Sequence, residues 1–225
     1  MHVTDTISTL TKTLTLPYLQ LKQGANAEAI GVQLDRLPQE ALKQVCWFPV
    51  KFMPEVYFAL GYTSTGIYLK YYISEHYFQA TYLHYQDPVF KDSCVEFFVQ
   101  LGDDANYYNL EFNALGTGRI SYGINRHERQ QVPAAAVKNL KCWVIKKGPE
   151  TGNNVHQWQI TLVIPVEVFC FHDLKKIGNT TMRANFYKCG DDLPEVHYIA
   201  WNQVKTVIPD FHQPLYFGDL LFAGH

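Results

Sequence analysis

The chain has little charge, and what it has is not concentrated anywhere. Lys and Arg number 19 against 21 Asp and Glu in 225 residues, for a formal net charge of -2. The basic residues are scattered, so there is no electrostatic footprint for nucleic acid or an anionic membrane, and neither partner is expected. Residues 1–30 hold no basic segment followed by a sustained apolar run, so no signal peptide or membrane anchor is visible. As given, the sequence reads as cytoplasmic; a secreted or periplasmic chain whose leader had been removed would read the same. The 5 cysteines are odd in number and lack CxxC spacing, which argues against a disulfide framework or a zinc knuckle. Cys46, Cys94, Cys142, Cys170 and Cys189 are expected mostly as small buried apolar residues. The 9 histidines show neither HxH nor HExxH spacing. No Ser, Cys or Thr nucleophile motif appears, and Gly116-Thr117-Gly118 lacks the glycine content and following helix of a phosphate loop.

What the chain does have is aromatic and β-forming residues. Hydrophobic residues make up 47% and aromatics 15%, with 15 Tyr and 14 Phe, enough for a sizeable core built from strands. The expected fold is all-β: one antiparallel β-sandwich domain over residues 1–225, with one or two short helices. Strand-like runs fall at 55–60, 67–73, 77–84, 119–123, 141–146, 158–164, 181–187 and 217–222, and a Thr-rich amino terminus suits an edge strand. Helix is expected at 38–45, with a helical turn at 165–171. Long loops are expected at 125–137 and 189–214, and loops of that size in a compact domain are commonly functional.

The most informative stretch is residues 90–113, which reads as a β-hairpin. Val95, Phe97 and Val99 alternate onto one side with Tyr108, Leu110 and Phe112, a face that can seal a core. The other face carries Glu96, Phe98 and Gln100 with Tyr107, Asn109, Glu111 and Asn113, a set better suited to hydrogen-bonding a polar ligand than to solubilising a sheet. Pairing Leu101 near Asn106 puts Glu96 opposite Glu111, where like charges are destabilising. An arginine, a cation, a shared proton or a slipped register must compensate them.

Two chemistries compete for these residues. Trp201 followed by Asn202 suits a sugar, whose C–H face stacks on an aromatic ring while its hydroxyls bond to amides, carboxylates and arginines. Burial in a core is the alternative fate of Trp201, and Trp47, Trp143 and Trp158 are assigned to packing. Glu96 and Glu111 could instead be the carboxylate pair of a glycoside hydrolase, since opposed strand residues approach the separation of a retaining enzyme. Asp103-Asp104 and Asp191-Asp192 are hard oxygen donors in turns, suited to calcium only if several converge.

Five segments taken together carry a family resemblance: Lys91-Asp92-Ser93-Cys94-Val95-Glu96-Phe97-Phe98, Tyr107 through Gly116, Asn185-Phe186-Tyr187-Lys188-Cys189-Gly190-Asp191, Ala200-Trp201-Asn202 and Asp210-Phe211-His212-Gln213-Pro214. In order and spacing, over residues 45–222, the chain resembles the family 9 carbohydrate-binding modules in their bacterial stand-alone branch. The resemblance implies a non-catalytic β-sandwich that holds small sugars or glycan reducing ends between two aromatic rings, with structural calcium. It assigns the rings to Phe90, where the family has tryptophan, and Trp201. It also assigns a ligand-contacting carboxylate to Glu96 and leaves Arg119 and Arg126 as the nearest arginine candidates. Glu111 and Asn202 complete the candidate sugar contacts. The runners-up are a glycoside hydrolase working through Glu96 and Glu111, and a structural or interaction sandwich whose sugar site has decayed.

Overall fold

The computed structural model describes residues 11–149 and 154–224, which form two β-sheets packed face to face. The larger, nine-stranded sheet has at its centre β6 (Cys94–Leu101), β7 (Tyr107–Asn113) and β8 (Gly118–Gly123), with β9 (Arg129–Gln131) at one edge. On the other side of β6 lies β12 (Met182–Cys189). One half of β12 pairs with β14 (Gly218–Phe222) and the other half with β13 (Tyr198–Ala200). β1 (Thr13–Leu16) closes the edge beyond β14, and β3 (Gln44–Val45) the edge beyond β13. The second sheet runs β10 (Lys141–Lys147), β11 (His156–Pro165), β5 (Gly66–Glu75), β4 (Glu55–Thr63) and β2 (Glu40–Ala41). The expected antiparallel sandwich is present, with one parallel pair, β1 with β14, at an edge. The expected amino-terminal edge strand is β1, and residues 1–10 lie outside the described residues.

The alternation across the 90–113 hairpin holds. Val95, Phe97, Val99, Leu110 and Phe112 all lie in the core between the sheets, none more than 2% exposed. Phe58 of β4 stacks on Phe186 of β12 at 3.9 Å between ring centroids, which locks the two sheets together. Trp201 sits in this same core. It is fully buried, its indole meets Phe186 and Phe58 edge-on, and its Nε1 donates to Glu40 Oε2 at 3.0 Å. Asn202 is structural as well: its side-chain oxygen accepts from the Lys12 amide at 3.0 Å, and its backbone N–H and C=O both bond to the Asn185 side chain. The expectation that Trp201 and Asn202 face a ligand is therefore corrected. The indole is wanted between the sheets, where its apolar area is fully used and its N–H finds a carboxylate.

Three local expectations also change. Residues 38–45 form β2 and β3 rather than a helix, because each short run completes a sheet edge. The helix falls earlier, at α1 (Ala27–Asp35), where Asn26 caps the Ala29 amide and Ile30 and Leu34 bury against Leu19 and Ala59 on the outer side of β4. Residues 77–84 do not pair as a strand. Their backbone is instead held by Asp92, whose carboxylate accepts from the Thr81 and Tyr82 amides, the Thr81 hydroxyl and the Gln79 side chain. The expected loop at 125–137 contains β9 and a short helix α2 (Ala134–Val137), and that at 189–214 contains β13.

Candidate functional site

On the side away from the core, β6, β7 and β8 present a polar surface, and segments around residues 47, 90, 191, 198 and 209–212 rise around it. Together they enclose a groove of about 440 Å³. Its floor follows from strand register. Glu96 of β6 lies directly opposite Glu111 of β7, and Glu111 lies opposite Arg119 of β8. Phe90, Glu96, Glu111, Arg119 and Arg126 thus come together around one groove, while Trp201 and Asn202 lie elsewhere.

The carboxylates are buried and incompletely satisfied. Glu111 Oε1 accepts from Asn109 Nδ2 at 2.5 Å, whereas Oε2 has no hydrogen bond and only a distant Arg119 Nε at 3.9 Å. Glu96 Oε1 accepts the Cys189 thiol at 3.1 Å, and its Oε2 has no partner. Asp191 Oδ1 is unpartnered too. Burial, reinforced by Glu111, pushes the Glu96 carboxyl well above the usual carboxylate range. Burial likewise raises Glu111 to about 7 and Asp191 to about 6. The register is not slipped, so the cross-strand repulsion is met by Arg119 beside Glu111 and by burial that favours keeping a proton in the pair.

Arg129 holds this floor in place. Its guanidinium bonds Asn109 Oδ1 through Nε and Nη2, reaches the carbonyls of Tyr107, Ser121 and Asn125, and lies over the Tyr107 ring at 4.5 Å. Asn109, fixed by that fork, then presents its amide N–H to Glu111. His212 bonds the Tyr107 hydroxyl through Nδ1 at 2.8 Å, and burial followed by the nearby arginines keeps its pKa well below the usual value, so the imidazole is neutral.

Two aromatic walls complete the groove. Phe90 lies under the Arg119 guanidinium at 5.7 Å. The other is Trp47, which the sequence reading assigned to packing. It has a left-handed backbone with φ of 64°, a strained geometry for a tryptophan, and its Nε1 is tied to Thr206 at 2.9 Å. The ring rests on Tyr198 and Phe211 and borders the groove. Sequence reasoning missed Trp47 and Arg129 as site residues. Arg129 belongs to the charged run at 126–129 and could have been suspected; nothing local to Trp47 marks it.

Structural calcium, implied by the resemblance, would need several oxygens to converge, and Asp191 keeps an unpartnered Oδ1. Asp92 is satisfied by protein donors, Asp104 accepts from Asn106 and Tyr122 and faces His172, and Asp192 pairs with Lys91. A calcium ion takes six to eight oxygens, and among the described residues no three carboxylates converge.

The fold is shared with solved structures. A carbohydrate-binding protein proposed as such, from Bacteroides uniformis ATCC 8492, is similar at 30% identity and a TM-score of 0.86, covering 94% of this chain and 99% of that one. A family 9 carbohydrate-binding module from Caldicellulosiruptor kristjanssonii, in complex with cellotriose, has the same fold at 11% identity and a TM-score of 0.60, over 95% of both chains. Its complex with glucose aligns at 10% identity and the same TM-score, over 95% of this chain and 97% of that one. No curated protein matches the chain. The family model for carbohydrate-binding family 9 matches residues 27–222, and the chain belongs to that family, whose functional class is carbohydrate binding.

Proposed function

We propose that the groove over β6, β7 and β8 binds a small sugar or the reducing end of a glycan without cleaving it. One observation carries this reading: Glu96 Oε2, Glu111 Oε2 and Asp191 Oδ1 are buried acceptors with no protein donor, and all three residues line one groove. An unmet buried acceptor costs about 1–3 kcal/mol, and a sugar brings the several hydroxyl donors these oxygens lack. Arg119 and Arg126 donate to sugar oxygens in turn, and Phe90 and Trp47 offer ring faces for C–H stacking. The cellotriose and glucose complexes of the Caldicellulosiruptor modules make gluco-configured sugars the first to try.

The test is calorimetric titration with glucose, cellobiose, cellotriose and a panel of other mono- and disaccharides, with product analysis on the same samples. Saturable binding without new products is expected. Turnover would favour the hydrolase reading, to which the opposed Glu96 and Glu111 lend a specific geometry, and silence across the panel would favour a decayed site. Glu96→Gln keeps the shape but replaces one acceptor oxygen with an amide NH2 that cannot accept, and should weaken binding by about 1–2 kcal/mol. Trp47→Ala removes a stacking face and should weaken it by about 1–3 kcal/mol. An unchanged affinity in both variants would remove the groove from consideration.

The raised carboxylates also predict a pH dependence. Folded Glu111 and Asp191 titrate near 7 and 6, above their unfolded values of about 4.3 and 3.9. Between those values the folded chain binds more protons than the unfolded one, so their contribution to stability falls as pH rises from about 4 to about 7. Sugar hydroxyls donate more strongly to the ionised forms, so affinity should rise over the upper part of this range. Denaturant titrations and calorimetry at pH 5 and pH 7.5 check both signs, and Glu111→Gln should flatten both dependences.

A further inference from the structure

We propose that Cys94, Cys189 and Glu96 form a binding site for a thiophilic divalent cation of the zinc class, in the floor of the groove. Cys94 of β6 and Cys189 of β12 are directly opposed in register, and Glu96 stands two residues along β6 on the same face. Their ligand atoms lie within 4.8 Å of one another, and all three residues are buried. Tetrahedral zinc with bonds of about 2.3 Å holds two sulfurs about 3.8 Å apart, a separation that falls inside the span of this cluster. Independently of that clustering, Glu96 is 4% exposed and its Oε2 has no hydrogen-bond partner. The free carboxylate oxygen and two thiols converge on one face of the sheet, while Lys188, whose charge is felt at Cys94 and Glu96, directs its ammonium to the opposite face to pair with Glu75.

The donor set selects the ion. Two sulfurs and one oxygen suit zinc or a similar thiophilic metal and are wrong for calcium or magnesium. Three protein ligands leave a fourth position, which opens toward the groove that Glu96 and Cys189 also line. Without metal, burial favours the neutral forms, with the Cys94 thiol pushed up to about 11 and Cys189 and Glu96 also raised. Metal entry must therefore displace protons: the cation, two thiols and a carboxylic acid give a complex of net charge -1 and three protons. Glu96 Oε2 is shared with the proposed sugar contacts, so a metal and a sugar would compete for it, and a titration run without sugar reads the metal alone.

The test uses the full chain, stripped of metal by chelation and kept reduced with a phosphine, and titrated with Co2+ and then Zn2+. Binding should produce intense near-ultraviolet absorption from thiolate-to-cobalt charge transfer, saturating at one ion per chain, accompanied by proton release and abolished when zinc displaces cobalt. Cys94→Ala and Cys189→Ala should each weaken binding by more than about 100-fold, beyond the loss typical of a mere supporting partner, whereas Cys170→Ala should leave it unchanged. The parent spectrum itself reports thiolate ligation, so the outcome does not depend on either variant folding well. A reduced, folded parent that shows no charge-transfer band, or a band kept in full by both Cys94→Ala and Cys189→Ala, would overturn the proposal.

Discussion

Trp201→Ala should cost the protein about 3–5 kcal/mol of stability and leave the sugar affinity of the folded fraction unchanged. The indole is fully buried between the sheets, edge-on to Phe58 and Phe186, so its removal opens a cavity at the point where the sheets are stacked. It would also leave Glu40 Oε2 without the indole N–H it now accepts. Relief by collapse is limited, because Gly218 already packs its backbone against the indole, and a Cβ there would come within 2.7 Å of the ring. Denaturant unfolding measures the loss. A Trp201→Ala protein as stable as the parent but deaf to sugar would instead put the indole in the binding site.

An effect of similar size is expected at Lys188, whose ammonium is completely buried on the core face of β12. Lys188 Nζ lies 2.8 Å from Glu75 Oε2, close but poorly directed for a hydrogen bond, and it bonds the Cys189 carbonyl and His197 Nε2, each at 2.9 Å. Burial, then the neighbouring ammonium, lowers His197 to about 3, so the ring is a neutral acceptor. Glu75 Oε1 takes the Trp158 indole N–H at 2.6 Å. Lys188→Met leaves Glu75 as an uncompensated buried charge and should cost about 3–5 kcal/mol. Adding Glu75→Gln restores neutrality and keeps an acceptor for Trp158, so the double variant should recover most of the loss. Equal instability of the single and double variants would mean that packing around the lysine stem, and not charge, dominates.

The sequence showed most where alternation was strict. The 90–113 hairpin, its inward Val95, Phe97, Val99, Leu110 and Phe112, and the confrontation of Glu96 with Glu111 all follow from a period of two and a short turn, and all are present. The resemblance carried the family and the fold. What stayed hidden depends on segments distant in the chain. Trp47 reaches the groove only because β3 adds to β13 and residue 206 anchors its indole. Cys94 and Cys189 become neighbours only through the β6–β12 register. A proline-flanked segment suggests exposure for Trp201, whereas it follows directly on β13 and its indole is carried inward. Helix α1 was legible in principle from the Asn26 cap and the Ile30–Leu34 spacing. Residues 38–45 were not, since two-residue strands exist by virtue of the edges they join.

The most direct test of the groove as the carbohydrate site is a crystal structure of the protein with the best-binding sugar of the panel. The account predicts a sugar ring over β6 and β7, beside Phe90 and Trp47, with hydroxyls within hydrogen-bond distance of Glu96 Oε2 and Glu111 Oε2. A sugar seated instead on the outer face of the five-stranded sheet, against Tyr57 and Gln159, would contradict it.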